Sequence, residues 1–184
     1  MVDRVKFKNT EVSRLGLGTM RLPCKTPLKR EANPLIDYTK GQQLVDMAYR
    51  NGVNYFDTAY MYHQGKSEKF IGTALKKYPR DTYFLADKLP IWLCKSPKDM
   101  QKIFDEQLER TGIDCFDFYL LHSLDKENFE KCEQYKAYDF VKEKQAQGLV
   151  KNIGFSFHGT VDDLKEIIAS HDWDFAQIQM NYLD

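Results

Sequence analysis

No apolar run in the 184 residues approaches the roughly 20 that a membrane-spanning helix needs, so no spanning segment is expected. Neither sign of charge is in excess. Lys+Arg and Asp+Glu number 27 each, and the charges are mixed along the chain without blocks. That balance argues against a nucleic-acid partner or an anionic membrane surface, because either calls for a concentration of positive charge. Cysteine is sparse: Cys24, Cys94, Cys115 and Cys132 lie far apart with no CxxC or CxxH spacing. Neither a zinc site nor a disulfide framework is expected from them, and no metal is assigned. The opening Met1-Val2-Asp3-Arg4-Val5-Lys6 lacks the basic-then-apolar layout of a secretion signal. A cytoplasmic protein with reduced thiols is the simplest expectation.

What the chain does contain is an alternation. Six short runs rich in aromatic and aliphatic residues read as buried parallel strands: 15–20, 54–59, 82–88, 116–122, 150–156 and 175–181. Helical segments lie between them. Thr39 reads as the cap of a helix to about Asn51, with Leu44, Val45, Met47 and Ala48 on its apolar side and Gly52 as the stop. Ser67 reads as the cap of the second, and Ser96-Pro97 opens a third that runs to Gly112. A fourth covers Glu127 to Gln147, and Thr160 caps a fifth. The βαβα rhythm predicts an α/β fold with a parallel sheet and crossover helices. Residues 21–38 interrupt it with Pro23, Pro27 and Pro34 and the basic Arg21, Lys25, Lys29 and Arg30. This stretch reads as an exposed connection, with a lid over the strand ends as the alternative.

Four polar residues sit at or just beyond successive strand ends: Asp57, Tyr62, Lys88 and His122. Singly, each has an ordinary structural explanation: a turn-forming Asp, one of eleven tyrosines, a Lys reaching water, a hydrogen-bonded core His. In a parallel (β/α) barrel, however, the C-terminal strand ends converge on one mouth. The set is also chemically coherent. An ammonium beside a phenol favours its ionised form, a carboxylate holds the ammonium, and an imidazole can polarise a carbonyl. No nucleophile accompanies them, which argues against acyl transfer. Two weaker patterns fail. Gly65-Lys66-Ser67 lacks the earlier glycine of a phosphate loop, since Tyr60 stands there; Gly16-x-Gly18 lacks the third glycine of a dinucleotide fingerprint.

Asp57-Thr-Ala-Tyr-Met-Tyr62, Leu85-Ala-Asp-Lys88, Tyr119-Leu-Leu-His122 and Ile153-Gly-Phe-Ser156 resemble, in order, the successive signatures of the aldo-keto reductase family. Gly16-Leu-Gly-Thr-Met20 and Gln177-Ile-Gln-Met-Asn181 fit the same pattern. The stretches 154–159 and 173–184 look most like the bacterial and archaeal members whose full-length chains add a ferredoxin-like [4Fe–4S] region; its cysteine runs are absent here. The resemblance implies a (β/α)8 TIM barrel and NADP(H)-dependent reduction of an aldehyde or ketone. It implies Tyr62 as general acid, Lys88 and Asp57 as its tuning partners, and His122 as the residue that orients the carbonyl. Ser156 and Gln177 would bind the nicotinamide carboxamide, and Thr19 and Asp57 would lie near the nicotinamide ribose. Two positions depart from the family pattern. Phe157 follows Ser156 where many members have Asn, which suggests His158 as a substitute, and Asp87 precedes Lys88 where a small polar residue is usual.

A closed barrel of this kind takes eight βα units and about 250 residues. Residues 1–184 hold about six, so the chain reads as the N-terminal portion of one barrel domain, weakly active or inactive alone. An alternative reading is a non-enzymatic half-barrel that self-associates through open sheet edges and serves as a binding or regulatory module.

Overall fold

The computed structural model describes residues 2–25 and 35–180. Pro27, Lys29, Arg30, Pro34 and Asn181, named above, lie outside the described residues. Eight strands and six α-helices are present among those described, with all six expected strands in place. A hairpin precedes them: β1 (Arg4–Phe7) pairs antiparallel with β2 (Thr10–Ser13) around a turn at Lys8 and Asn9. Nothing in the periodicity announces this hairpin. Both faces of β1 are largely exposed, so no apolar alternation marks it.

The remaining strands are parallel and follow chain order, β3 (Gly16–Gly18), β4 (Tyr55–Asp57), β5 (Phe84–Leu89), β6 (Phe116–Leu124), β7 (Val150–Phe157) and β8 (Phe175–Ile178). The chain divides into two compact units. One comprises Met1–Ala86 with Gln107–Ile113, the other Asp87–Glu106 with Asp114–Asp184.

In the first unit, Gly18 pairs with Asp57, so β3 and β4 end level with one another, while β5 continues three residues past Ala86, the partner of Asp57. Helices α1 (Tyr38–Arg50) and α2 (Ser67–Leu75) cover them. The buried stripe of α1 is Gly41, Val45 and the partly buried Ala48, at spacings of four and three. Gly41 is there because α2 comes close: a Cβ at that position would meet the Phe70 ring at 2.6 Å. Met47, expected on the apolar side, is mostly exposed. The cap of α1 is Asp37, whose carboxylate accepts from Lys40 N at 3.1 Å, and not Thr39. Val45, Val53, Phe56, Phe70, Ile71, Leu75 and Leu85 form the core of this unit, together with Leu22 and Ile36 from the interrupting stretch. At the base of that stretch the backbone closes on itself, Lys25 N donating to Leu35 O and Asp37 N to Pro23 O.

In the second unit, Phe104 of α3 (Pro97–Thr111) packs edge-on against Phe116 and Tyr119 of β6 at 5.9 and 5.1 Å between centroids. Pro97 opens α3 as expected, and the Asp99 carboxylate reaches back to the Ser96 N–H at 2.8 Å. The fourth expected helix is two, α4 (Lys126–Tyr135) and α5 (Ala137–Ala146), separated by Lys136 in the left-handed conformation at φ 53°. The apolar stripe explains the break. Phe129 and Cys132 are buried in α4, but the next buried residue is Ala137, five positions on, followed by Val141. A continuous helix would carry that second group to a different face, and a single left-handed residue resets the phase. Lysine is a good helix former, so composition conceals the joint. Helix α6 (Val161–Ser170) begins with the Thr160–Asp163 capping box. Among the described residues no helix is long and apolar enough to cross a membrane.

Candidate active site

Each unit carries its own share of the expected site residues. In the first, Asp57 closes β4 and is 7% exposed. Its backbone carbonyl is gripped twice by Thr19, through the amide N–H and through the hydroxyl, each at 2.9 Å. The Thr19 hydroxyl in turn accepts from Ser67 Oγ at 2.6 Å, and Ser67 lies 2.9 Å from the Thr58 hydroxyl. Ser67, expected as a cap, therefore makes no capping bond; α2 begins without a side-chain cap. Its hydroxyl is spent on a buried network that sets the end of β4. Thr19 is fully buried, and its proton goes to the Asp57 carbonyl, which makes it a positioning group for Asp57.

Tyr62 follows on a short turn (Tyr62–Gly65) and is half-buried. Three residues after it are left-handed in succession: His63 at φ 50°, Gln64 at 57° and Gly65 at 80°. His63 Nε2 accepts from Leu22 N at 3.0 Å, tying this turn to the stretch after β3.

In the second unit, β6 and β7 run in register to Leu121 and Phe155, and then the register shifts before Leu124 meets Phe157. The irregularity falls on His122 and Ser123. Ser123 is left-handed at φ 55°, and its N–H donates to the side chain of Ser156 at 2.6 Å. Asn128 Nδ2 donates to the Ser123 carbonyl at 3.0 Å. A bulge of this sort ends regular pairing and re-aims a side chain, here His122. Nothing in the sequence marks Ser123, because a left-handed serine has no spacing signature.

His122 is 9% exposed, its ring 5.0 Å from that of Trp92. Burial, then the charges of Lys88 and His158, push its imidazole down to about 3. It is therefore neutral at any ordinary pH, able to donate one ring N–H without giving up a proton. The unfolded imidazole titrates near 6.5, so below that pH the unfolded chain takes up the proton that the folded site refuses. The contribution of His122 is complete above about pH 6.5 and is lost as pH falls towards 3. Urea unfolding at several pH values from 7.5 to 4 should show wild type losing stability more steeply than His122→Asn. Parallel curves would count against a buried neutral imidazole.

Lys88 is 1% exposed and follows Asp87 in β5. Adjacent strand residues point to opposite faces, and both Asp87 and Lys88 are buried. The Asp87 Oδ1 accepts from the Lys88 backbone N–H at 2.8 Å. Ser156 and Gln177 are partners in register across β7 and β8, on one side of the sheet at the strand ends. Ser156 accepts from Ser123 through its oxygen and so keeps its own O–H to donate elsewhere. The pair thus offers a hydroxyl donor beside a side-chain amide, a set that fits a carboxamide. Phe157, the departure from the family pattern, is buried and packs close to Gly159. His158 is exposed, and its backbone N–H donates to Leu124 O at 2.9 Å.

Residues 14–184 match the description "Aldo/keto reductase family". An aldo-keto reductase of Gibberella moniliformis is 29% identical over 163 residues, which are 85% of this chain and 46% of that protein. The NADH-specific methylglyoxal reductase of Escherichia coli is 28% identical over an alignment taking in all of this chain and 60% of the relative. The chain thus spans about half the length of the curated relatives it matches. Among solved structures, an aldo-keto reductase from Klebsiella pneumoniae in complex with NADPH superposes with a TM-score of 0.71 at 23% identity, over 99% of this chain and 59% of that one. The likeness establishes the architecture: the six parallel strands belong to a (β/α)8 barrel, incomplete over these residues.

Proposed function

The chain belongs to the aldo/keto reductase family, and on that footing we propose that it carries the proton-transfer half of an NADP(H)-dependent carbonyl reductase. The observation that carries the reading is His122, a buried imidazole held neutral on a bulge at the end of β6. A neutral N–H donor suits the oxygen of an aldehyde or ketone, because it polarises the carbonyl without competing to protonate it. Tyr62 is the general acid that gives its phenol proton to the oxygen as reduction proceeds. Lys88 supplies the positive charge that makes the phenol a better donor, and Asp57 balances that charge. Bound NADP(H) would supply the hydride. Ser156 and Gln177 would hold its carboxamide, Ser156 by donating its free O–H, and the end of β4 with Thr19 and Asp57 would face the ribose.

The relatives bear on the finer points in different ways. The Escherichia coli protein is described as NADH-specific and acts on methylglyoxal, whereas the Klebsiella structure holds NADPH. NADP(H) and small aldehydes or ketones are our assignments for this chain. Both are tested by titrating the protein with NADPH and with NADH while following its tryptophan fluorescence, then by cofactor oxidation against a panel of carbonyls. Quenching by NADPH together with carbonyl-dependent oxidation is expected. A folded protein indifferent to both cofactors would overturn the reading and favour the non-enzymatic half-barrel.

A further inference from the structure

The left-handed run after Tyr62 raises the question of what holds it. A non-glycine residue in that conformation is strained by its Cβ, and two stand in succession at His63 and Gln64. Such strain persists only where the surroundings over-determine it. One side chain of the first unit spans the segment on both flanks. The Arg110 guanidinium lies 4.2 Å from the centroid of the Tyr60 ring, two residues before Tyr62. The same group lies against Gly65, three residues after it: a Cβ built there would sit 3.4 Å from Arg110 Nη1. Arg110 is itself anchored from below, donating from Nη1 to Glu68 Oε2 at 2.9 Å, and Glu68 is fully buried in the first turn of α2. Glu68, Arg110, Tyr60 and Gly65 form a brace around the turn that bears Tyr62.

We infer that Arg110, seated on buried Glu68, is a positioning residue that holds the strained Tyr62–Gly65 turn and thereby the phenol of Tyr62. The inference rests on Tyr62 being the general acid. Arginine suits the task because its fork of N–H donors can meet Tyr60 and Glu68 at once, with the guanidinium over the Tyr60 ring; lysine can keep the charge but not the fork. Holding an acid in register acts on the chemical step, since a displacement near 1 Å can cost on the order of 10²-fold in rate.

The test uses the protein that carries this chain, with Arg110→Met, Arg110→Lys and Tyr60→Leu beside Tyr62→Phe. For Arg110→Met, kcat should fall roughly 10- to 100-fold with NADPH affinity unchanged. Amide hydrogen exchange should rise over Tyr62–Gly65, and added guanidinium at sub-denaturing concentration should restore part of the rate. Arg110→Lys should recover little of it. Should Arg110→Met fail to fold, Tyr60→Leu, which removes the ring and hydroxyl that Arg110 meets on that flank and leaves its bond to Glu68, must still lower kcat. An Arg110→Met or Tyr60→Leu protein with lower thermal stability but unchanged kcat and no response to guanidinium would overturn the inference. Tyr62→Phe separates the two levels: unchanged turnover in that variant sinks the functional reading itself, whatever Arg110 does.

Discussion

Tyr62→Phe is expected to lower kcat for carbonyl reduction by roughly 10²- to 10⁴-fold, the range that a positioned general acid contributes. That corresponds to about 3–5 kcal/mol of transition-state stabilisation. The substitution removes one oxygen and keeps the ring, so the turn that carries Tyr62 retains its Tyr62 N–H to Ala59 O bond and its tie to Leu22 through His63. Cofactor affinity should therefore stay within about twofold of wild type, because the groups assigned to the carboxamide are Ser156 and Gln177 on other strands. The loss should fall on kcat and kcat/KM together, as it does when an interaction exists only in the transition state. Steady-state kinetics with a saturating carbonyl, beside NADPH titration by fluorescence, provides the check. A variant with full turnover would remove Tyr62 from the mechanism.

The second large effect is on stability. At Gly72 in α2, an added Cβ would stand 2.1 Å from the Thr111 carbonyl oxygen, 2.7 Å from its carbon and 2.8 Å from its Cα. All three are backbone atoms at the C-terminal end of α3, so no rotamer change can give way. Gly72→Ala must push two helix backbones apart by about 1 Å, opening contacts around the buried Ile71 and Leu75 on either side. Overpacking of this kind costs about 3 kcal/mol or more where the neighbours are rigid. A domain holds only about 5–15 kcal/mol in reserve. For a chain of this length the melting temperature should fall by roughly 6–12 °C. Truncation of Thr111 to Ala in the same protein should restore nothing, since its side chain is not the obstacle. Melting curves by circular dichroism decide the matter, and a fall of less than about 2 °C would show that the helices can part cheaply.

The two predictions draw on different levels of information. Tyr62 stands out in the sequence as a candidate because chemistry-bearing residue types recur at strand ends in a fixed order, and strand ends are marked by apolar runs and caps. Gly72 does not, because a close approach of helices leaves no trace in either helix's own pattern. The same division runs through the rest of the molecule. Thr160 is the cap that the sequence predicts, since a capping box is a contact three residues long. Thr39 and Ser67 are not caps: Asp37 caps α1 by an equally local contact, so two residues competed for one role, whereas the Ser67 hydroxyl is drawn into the distant Thr19 network. The single helix expected over 127–147 is divided at Lys136 by a phase slip between buried residues.

By itself the sequence determined the βα alternation, the family, and which residues could carry acid, charge and carbonyl recognition. The alternation follows from local periodicity, and the family from the resemblance of successive short motifs, both of which short stretches of chain contain in full. Only the tertiary structure decided how those residues are held. It set the bulge that turns His122 and the burial that keeps its imidazole neutral. It also opposed Ser156 to Gln177 and braced the turn after Tyr62 with Arg110. Each of these depends on atoms far apart in the chain and close in space, where packing and exclusion of water, rather than spacing along the sequence, set conformation and charge.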